Sequence, residues 1–160
     1  MTRGMRTAVT KVVSGGQTGV DRGALDAAIS LGMPHGGWCP LGRIAEDGVI
    51  PRHYQLSETP SALYRVRTEQ NVLDSDGTLL FYRGTLQGGT ELTRRFADRH
   101  GKPWLPVDLL RAPDVEAIRH WLAAERIGVL NVAGPRESSA PGIGREVRNV
   151  LREVLGKLGK

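Results

Sequence analysis

Twice in this chain a short run of β-branched and apolar residues ends at a glycine-rich turn, and an amphipathic helical pattern starts directly after it. Ala8 to Ser14 (AVTKVVS) runs into Gly15-Gly16, after which Leu25, Ala28, Ile29 and Leu31 recur at helical spacing as far as Gly32. Thr78 to Tyr82 (TLLFY) leads to Gly88-Gly89-Thr90, followed by Leu92, Phe96 and Ala97. A strand that passes to a helix through a tight turn is the first half of a crossover unit. Repeated crossovers force the strands parallel and cover both faces of the sheet with helices.

The rest of the chain continues the alternation. Ala62 to Asp74 carries a less regular helical pattern (Leu63, Val66, Val72, Leu73), and Pro103 to Leu109 reads as a weaker strand limited by Pro103 and Pro106. Asp114 to Arg126 is helical, with Val115, Ile118, Trp121 and Leu122 on one face. Gly128 to Ala133 (GVLNVA) is a further strand, and a final helix runs from about Ile143 to Leu158 with Val147, Val150, Leu151, Val154 and Leu158 aligned. Between Pro34 and Pro60 lies a Gly- and Pro-rich connection with one short strand expected around Gly37 to Cys39. No repeat or linker divides the chain, so residues 1–160 are predicted to form one α/β domain with a mostly parallel sheet of about five strands. In such sheets ligands bind beyond the carboxyl ends of the strands, at the switch point of the strand order.

Glycine makes 21 of the 160 residues, about twice the usual share, and the glycines cluster at those strand ends. The net charge of +5 comes from 22 basic residues, 18 of them Arg, scattered without a basic arm. That distribution favours a small phosphate-bearing ligand over nucleic acid, because Arg offers a planar fork for phosphate. Cys39 is the only cysteine, so neither an intramolecular disulfide nor a Cys-based zinc site is expected. The apolar runs fall well short of the roughly 18 residues that cross a bilayer. Residues 1–10 lack the apolar stretch of a secretory signal, so a cytoplasmic location is expected.

Four constellations carry possible chemistry. Ser14-Gly15-Gly16-Gln17-Thr18-Gly19 with Asp21 places backbone N–H groups, two polar side chains and a helix start after a strand; it holds an anion or is a turn that Asp21 caps. Its spacing matches neither the dinucleotide fingerprint nor the Walker loop. Arg83-Gly84 and Gly88-Gly89-Thr90 repeat the arrangement at a second strand end, with Thr90 as a ligand contact or a cap. Arg136 in Gly134-Pro135-Arg136-Glu137 pairs with phosphate or with Glu137. Trp38-Cys39 offers a ring for stacking and a thiol that is more often a small buried hydrophobe than a ligand. The four histidines lack metal-binding spacing.

Taken together, SGGQTGVDRGALDAA from Ser14, GGWCP from Gly36, RTEQNVLDSDGT from Arg67, GGT from Gly88 and NVAGPR from Asn131 resemble the molybdenum carrier family. That family is related to the algal molybdenum cofactor carrier protein, within a superfamily that includes cytokinin-activating phosphoribohydrolases. The resemblance implies a Rossmann-like three-layer fold, homo-oligomers, and a carrier that holds molybdenum cofactor or another nucleotide-like anion, with molybdoenzymes as its possible partners. It places Gly15, Gly16, Gln17 and Thr18 on one side of a pocket and Gly88, Gly89 and Thr90 in a phosphate cradle. The alternatives are a phosphoribohydrolase-type enzyme or a sensor of a nucleotide-derived ligand. The hydrolases carry a Glu three residues beyond the Thr of their glycine turn, whereas Thr93 stands there in this chain and the nearby carboxylate is Glu91.

Overall fold

The computed structural model describes residues 7–156. Leu158, placed by its spacing on the final helical face, and residues 1–6 of the stretch read for a signal lie outside them. The first strand is shorter than its sequence run, β1 being Lys11–Val13, and α1 follows at Val20–Ser30. The long connection is not a simple loop. It contains five two-residue strands: β2 (His35–Gly36), β3 (Trp38–Cys39), β4 (Ile44–Ala45), β5 (Gly48–Val49) and β6 (Ser57–Glu58). Pairs this short have no period to read. The remaining elements are α2 (Tyr64–Leu73), β7 (Gly77–Tyr82), α3 (Gly88–Arg99), β8 (Trp104–Asp108), α4 (Val115–Ala124), β9 (Val129–Ala133) and α5 (Ile143–Leu155).

The central sheet has five strands in the order β2-β1-β9-β7-β8, every pair parallel. β9, the last strand in the chain, sits between β1 and β7, with Val12 beside Leu130 and Thr78 beside Asn131. Along β7 the side chains alternate, so Leu79 and Phe81 join the core shared with Ala24, Ala27 and Ala28 of α1 and Val147 and Leu151 of α5. Val72, Phe96 and Ala97 of α2 and α3 form a second cluster with Trp104. One buried polar pair interrupts the apolar sheet: the Asn131 amide donates to the Thr78 hydroxyl at 3.1 Å. This is the α/β architecture expected from the alternation, with parallel strands between helices.

Two backbone approaches fix the strand exits. A Cβ at Gly134, just past β9, would lie 2.3 Å from the Phe81 carbonyl oxygen and 2.5 Å from Val20, so the loop after β9 is pressed against β7 and the start of α1. The Val20 N–H then donates to the Pro135 carbonyl at 3.2 Å. Past the edge strand β8, Asp114 caps α4 by accepting from Ala117 N–H at 3.0 Å. Asp114→Ala is expected to cost about 1 kcal/mol in urea unfolding, the usual worth of a side-chain N-cap.

Candidate functional site

Because β9 lies between β1 and β7, the loops leaving these three strands are neighbours, and they rim a crevice of about 640 Å³. This is the switch point of the sheet: β1 leads outward through α1 to β2, and β7 leads the other way through α3 to β8. The first turn contributes Gln17 and Asp21, the second Arg83 and Gly88 to Thr90, and the third Arg136. The other expected residues stand behind or beside it. Ser14 is buried with its hydroxyl donating to Val132 O at 2.9 Å. A Cβ on Gly15 would meet the Arg67 guanidinium at 2.1 Å, and one on Gly16 would meet Leu56 at 2.5 Å. Thr18 borders a separate depression and hydrogen-bonds Glu46, while Gly84 N–H donates to Asp108 at 2.9 Å.

The three glycine-rich helix starts are not equivalent. At α1 the buried Asp21 carboxylate accepts the Gln17 backbone N–H at 3.1 Å, so Asp21 satisfies a donor from inside the first turn; the N-cap residue itself is Gly19. At α5 the Glu137 carboxylate accepts from the Gly142 and Gly144 amides. Glu137 is thereby committed to a helix end, and Arg136 is left exposed, with Glu46 3.9 Å away. At α3 the N-cap Gln87 makes no side-chain cap bond, and Gly88 and Gly89 form the helix's first turn instead of preceding it. The Thr90 and Glu91 amides turn back to the Gln87 carbonyl at 3.1 and 3.4 Å, which leaves the Gly88 and Gly89 amides without a protein acceptor among the described residues. A Cβ at Gly88 or Gly89 would meet nothing within 4 Å. The α3 end is therefore an open set of donors at the positive pole of a helix, facing the crevice.

Arg67, from the middle of α2, was assigned no role by its sequence context, yet it lines the crevice. Its side chain is 15% exposed, and its one hydrogen bond among the described residues runs from Nη1 to Asp21 Oδ2 at 3.4 Å. The guanidinium lies 5.7 Å from the ring centre of Tyr64. Burial raises the Asp21 carboxyl above its ordinary value, against the opposing pull of Arg67 and the Gln17 amide. Gln17 donates through Nε2 to the Ile44 carbonyl at 2.9 Å, which ties the crevice to the β4–β5 hairpin. Among the described residues three buried side-chain polar atoms lack any partner, and two of them, Gln17 Oε1 and Arg67 Nε, belong to this site. Arg83 reaches across to α5, donating to Pro141 O at 2.9 Å and to Glu146 at 3.0 Å.

Other candidates are spent elsewhere. Glu91 does not line the crevice and is held by Arg94 and Arg95. Cys39 is fully buried, and burial pushes its thiol up. The Trp38 indole N–H donates to Asp74 at 2.6 Å. Among the described residues no three His, Cys, Asp or Glu side chains gather around a common point, and no helix is long and apolar enough to cross a membrane.

The model of the circularly permutated YpsA SLOG family matches residues 12–155. The chain is also similar to a crystal structure named "putative molybdenum carrier protein" from Syntrophus aciditrophicus SB, with a TM-score of 0.89 and 47% identity. That similarity covers 96% of this chain and 98% of the other. No curated protein matches significantly.

Proposed function

Since the chain belongs to the circularly permutated YpsA SLOG family, we propose that it is a binding or carrier protein whose crevice holds a phosphate-bearing ligand of molybdenum-cofactor or nucleotide type. The observation that carries this reading is the open α3 start, where among the described residues two glycine amides lack acceptors and the space a side chain would fill is free. A phosphate oxygen is the natural occupant of such a position. Arg83 and Arg136 on the rim add countercharge, and Gln17, Asp21 and Arg67 lie across the crevice. The likeness to a structure named as a molybdenum carrier supports the ligand class. Bound molybdenum cofactor would bring its own redox-active metal; the residues of this chain would hold its organic, phosphate-bearing part. Molybdoenzymes are then the recipients, and a cytoplasmic, homo-oligomeric carrier is part of the same proposal. In the phosphoribohydrolases the carboxylate comes from the glycine turn itself; here Thr93 stands at that position and Glu91 is engaged by arginines outside the crevice, while Asp21 is held by Arg67 and the Gln17 amide, which favours binding over cleavage.

Purified protein mixed with molybdenum cofactor or with a nucleoside monophosphate is expected to retain it through gel filtration. Gly89→Asp should abolish retention by placing a carboxylate where the phosphate sits. The same change should leave the fold intact or stabilise it by about 0.3–1 kcal/mol, because an acidic residue in a first helical turn is favourable. Co-elution no greater than with an unrelated control protein, or undiminished retention by the variant, would overturn the proposal.

A further inference from the structure

Two residues that line the crevice carry an unusual demand. Gln17 is 3% exposed and its Oε1 has no donor among the described residues. Arg67 has five N–H groups, of which Nη1 alone finds a protein acceptor, so Nε and Nη2, which form one edge of the guanidinium fork, are free among the described residues. Buried polar atoms without partners cost about 1–3 kcal/mol each unless something supplies the missing bond. Both residues line the same cavity as the open α3 start. What would satisfy them is a planar group presenting two adjacent acceptors to Arg67 and a neighbouring N–H to Gln17.

We propose that Gln17 and Arg67 form a subsite that reads the lactam edge of a bicyclic heterocycle, as found in guanine and in oxidised pterins. Around that edge guanine and a pterin not reduced at its N5 present the same order: a ring nitrogen acceptor, a carbonyl acceptor, then a ring N–H donor. Arg67 donates to the two acceptors, in the manner of the bidentate arginine contact to guanine, and Gln17 Oε1 accepts the N–H. Adenine presents an amino donor where the carbonyl would be, so the Arg67 fork meets a donor there and the pair is mismatched. This inference rests on the phosphate-binding reading above and specifies what lies at the other end of the same ligand.

The test is calorimetric titration of the full chain with four probes: GMP, AMP, 6-hydroxymethylpterin phosphate and ribose 5-phosphate. GMP, the pterin phosphate or both are expected to bind tighter than AMP by about tenfold or more, the size of one good bidentate base contact. A preference for GMP alone identifies the source as a nucleotide, and for the pterin alone as an oxidised pterin. Arg67→Lys, which removes the fork and keeps the charge, should bring the favoured ligand close to AMP. If ribose 5-phosphate binds and AMP equals the lactam ligands in the wild-type protein, the subsite is refuted while the phosphate site stands. If no phosphate-bearing probe binds, both fall. The wild-type panel decides the matter even if a variant fails to fold.

Discussion

Gly23→Val is expected to lower stability by roughly 3 kcal/mol or more and the melting temperature by about 10 °C, the upper range for overpacking in a chain of this size. Gly23 lies where α1 crosses α5. A Cβ there would sit 2.2 Å from the Gly144 carbonyl oxygen, 3.0 Å from its carbonyl carbon and 3.2 Å from its Cα. All three are backbone atoms, so no change of rotamer relieves the clash and one helix must move. Moving α1 also displaces Asp21 two positions earlier, and with it the donor it satisfies on Gln17. Gly89→Ala gives the contrast, since its new Cβ meets nothing within 4 Å. That change should stay within about 0.5 kcal/mol, like most surface substitutions. Thermal and urea unfolding of the two variants side by side is the measurement. A Gly23→Val protein melting with the wild type would show that the helices do not touch here.

The same comparison explains how much could be read from the sequence. The excess of glycine marked strand ends correctly, but composition cannot separate a glycine pressed against backbone, such as Gly23 or Gly134, from one bordering open space, such as Gly89. The apolar pattern of α5 was legible because Val147, Val150, Leu151 and Val154 all face one buried core. β9 was legible as a run, but its place between β1 and β7 was not, since strand order is set by crossovers that leave no local trace. That placement is what brings the three glycine turns together. Asn71 of α2 holds Trp38, in the connection between α1 and α2, through both ends of its amide, accepting from the Trp38 N–H at 2.8 Å and donating to its carbonyl at 3.0 Å. A side chain 33 positions away does the work that period and propensity do elsewhere.

Within the site, motif reading reached Gln17, Asp21 and Gly88 to Thr90, which line the crevice, because glycines and small polar residues after a strand are a local signal. Of the two partners open to Arg136 in the sequence, phosphate or Glu137, the structure commits Glu137 to the amides of Gly142 and Gly144. Arg67 opens one of the stretches that carry the family resemblance, but nothing in its neighbourhood gives it a role. On a helix rich in charged residues it looks like one more solvated arginine. It becomes a site residue because Gly15, far away in sequence, leaves room for its guanidinium, and because Asp21 supplies a buried countercharge.

That pairing sets the largest pH effect expected of this chain. Arg67→Met should cost about 3–5 kcal/mol at pH 7 to 8, the usual result of removing one member of a buried ion pair. Asp21 is buried, and burial already raises its carboxyl above 3.8, with Arg67 the strongest influence holding it down. A carboxyl raised in the folded state keeps its proton to higher pH than the unfolded chain does. Its contribution to stability is therefore greatest in acid and is lost as pH rises from about 4 through the folded-state value. Without Arg67 that value climbs further, so the loss continues toward neutral pH and the gap between variant and wild type widens with pH. Urea unfolding of both proteins from pH 5 to 8, without ligand, measures it. Adding Asp21→Asn to Arg67→Met should flatten the dependence, because the amide oxygen still accepts the Gln17 N–H and no charge remains to titrate. A gap that stays constant across the range would mean that Asp21 and Arg67 are not coupled, and that the arginine is held in the crevice by packing against Gly15 and Tyr64 alone.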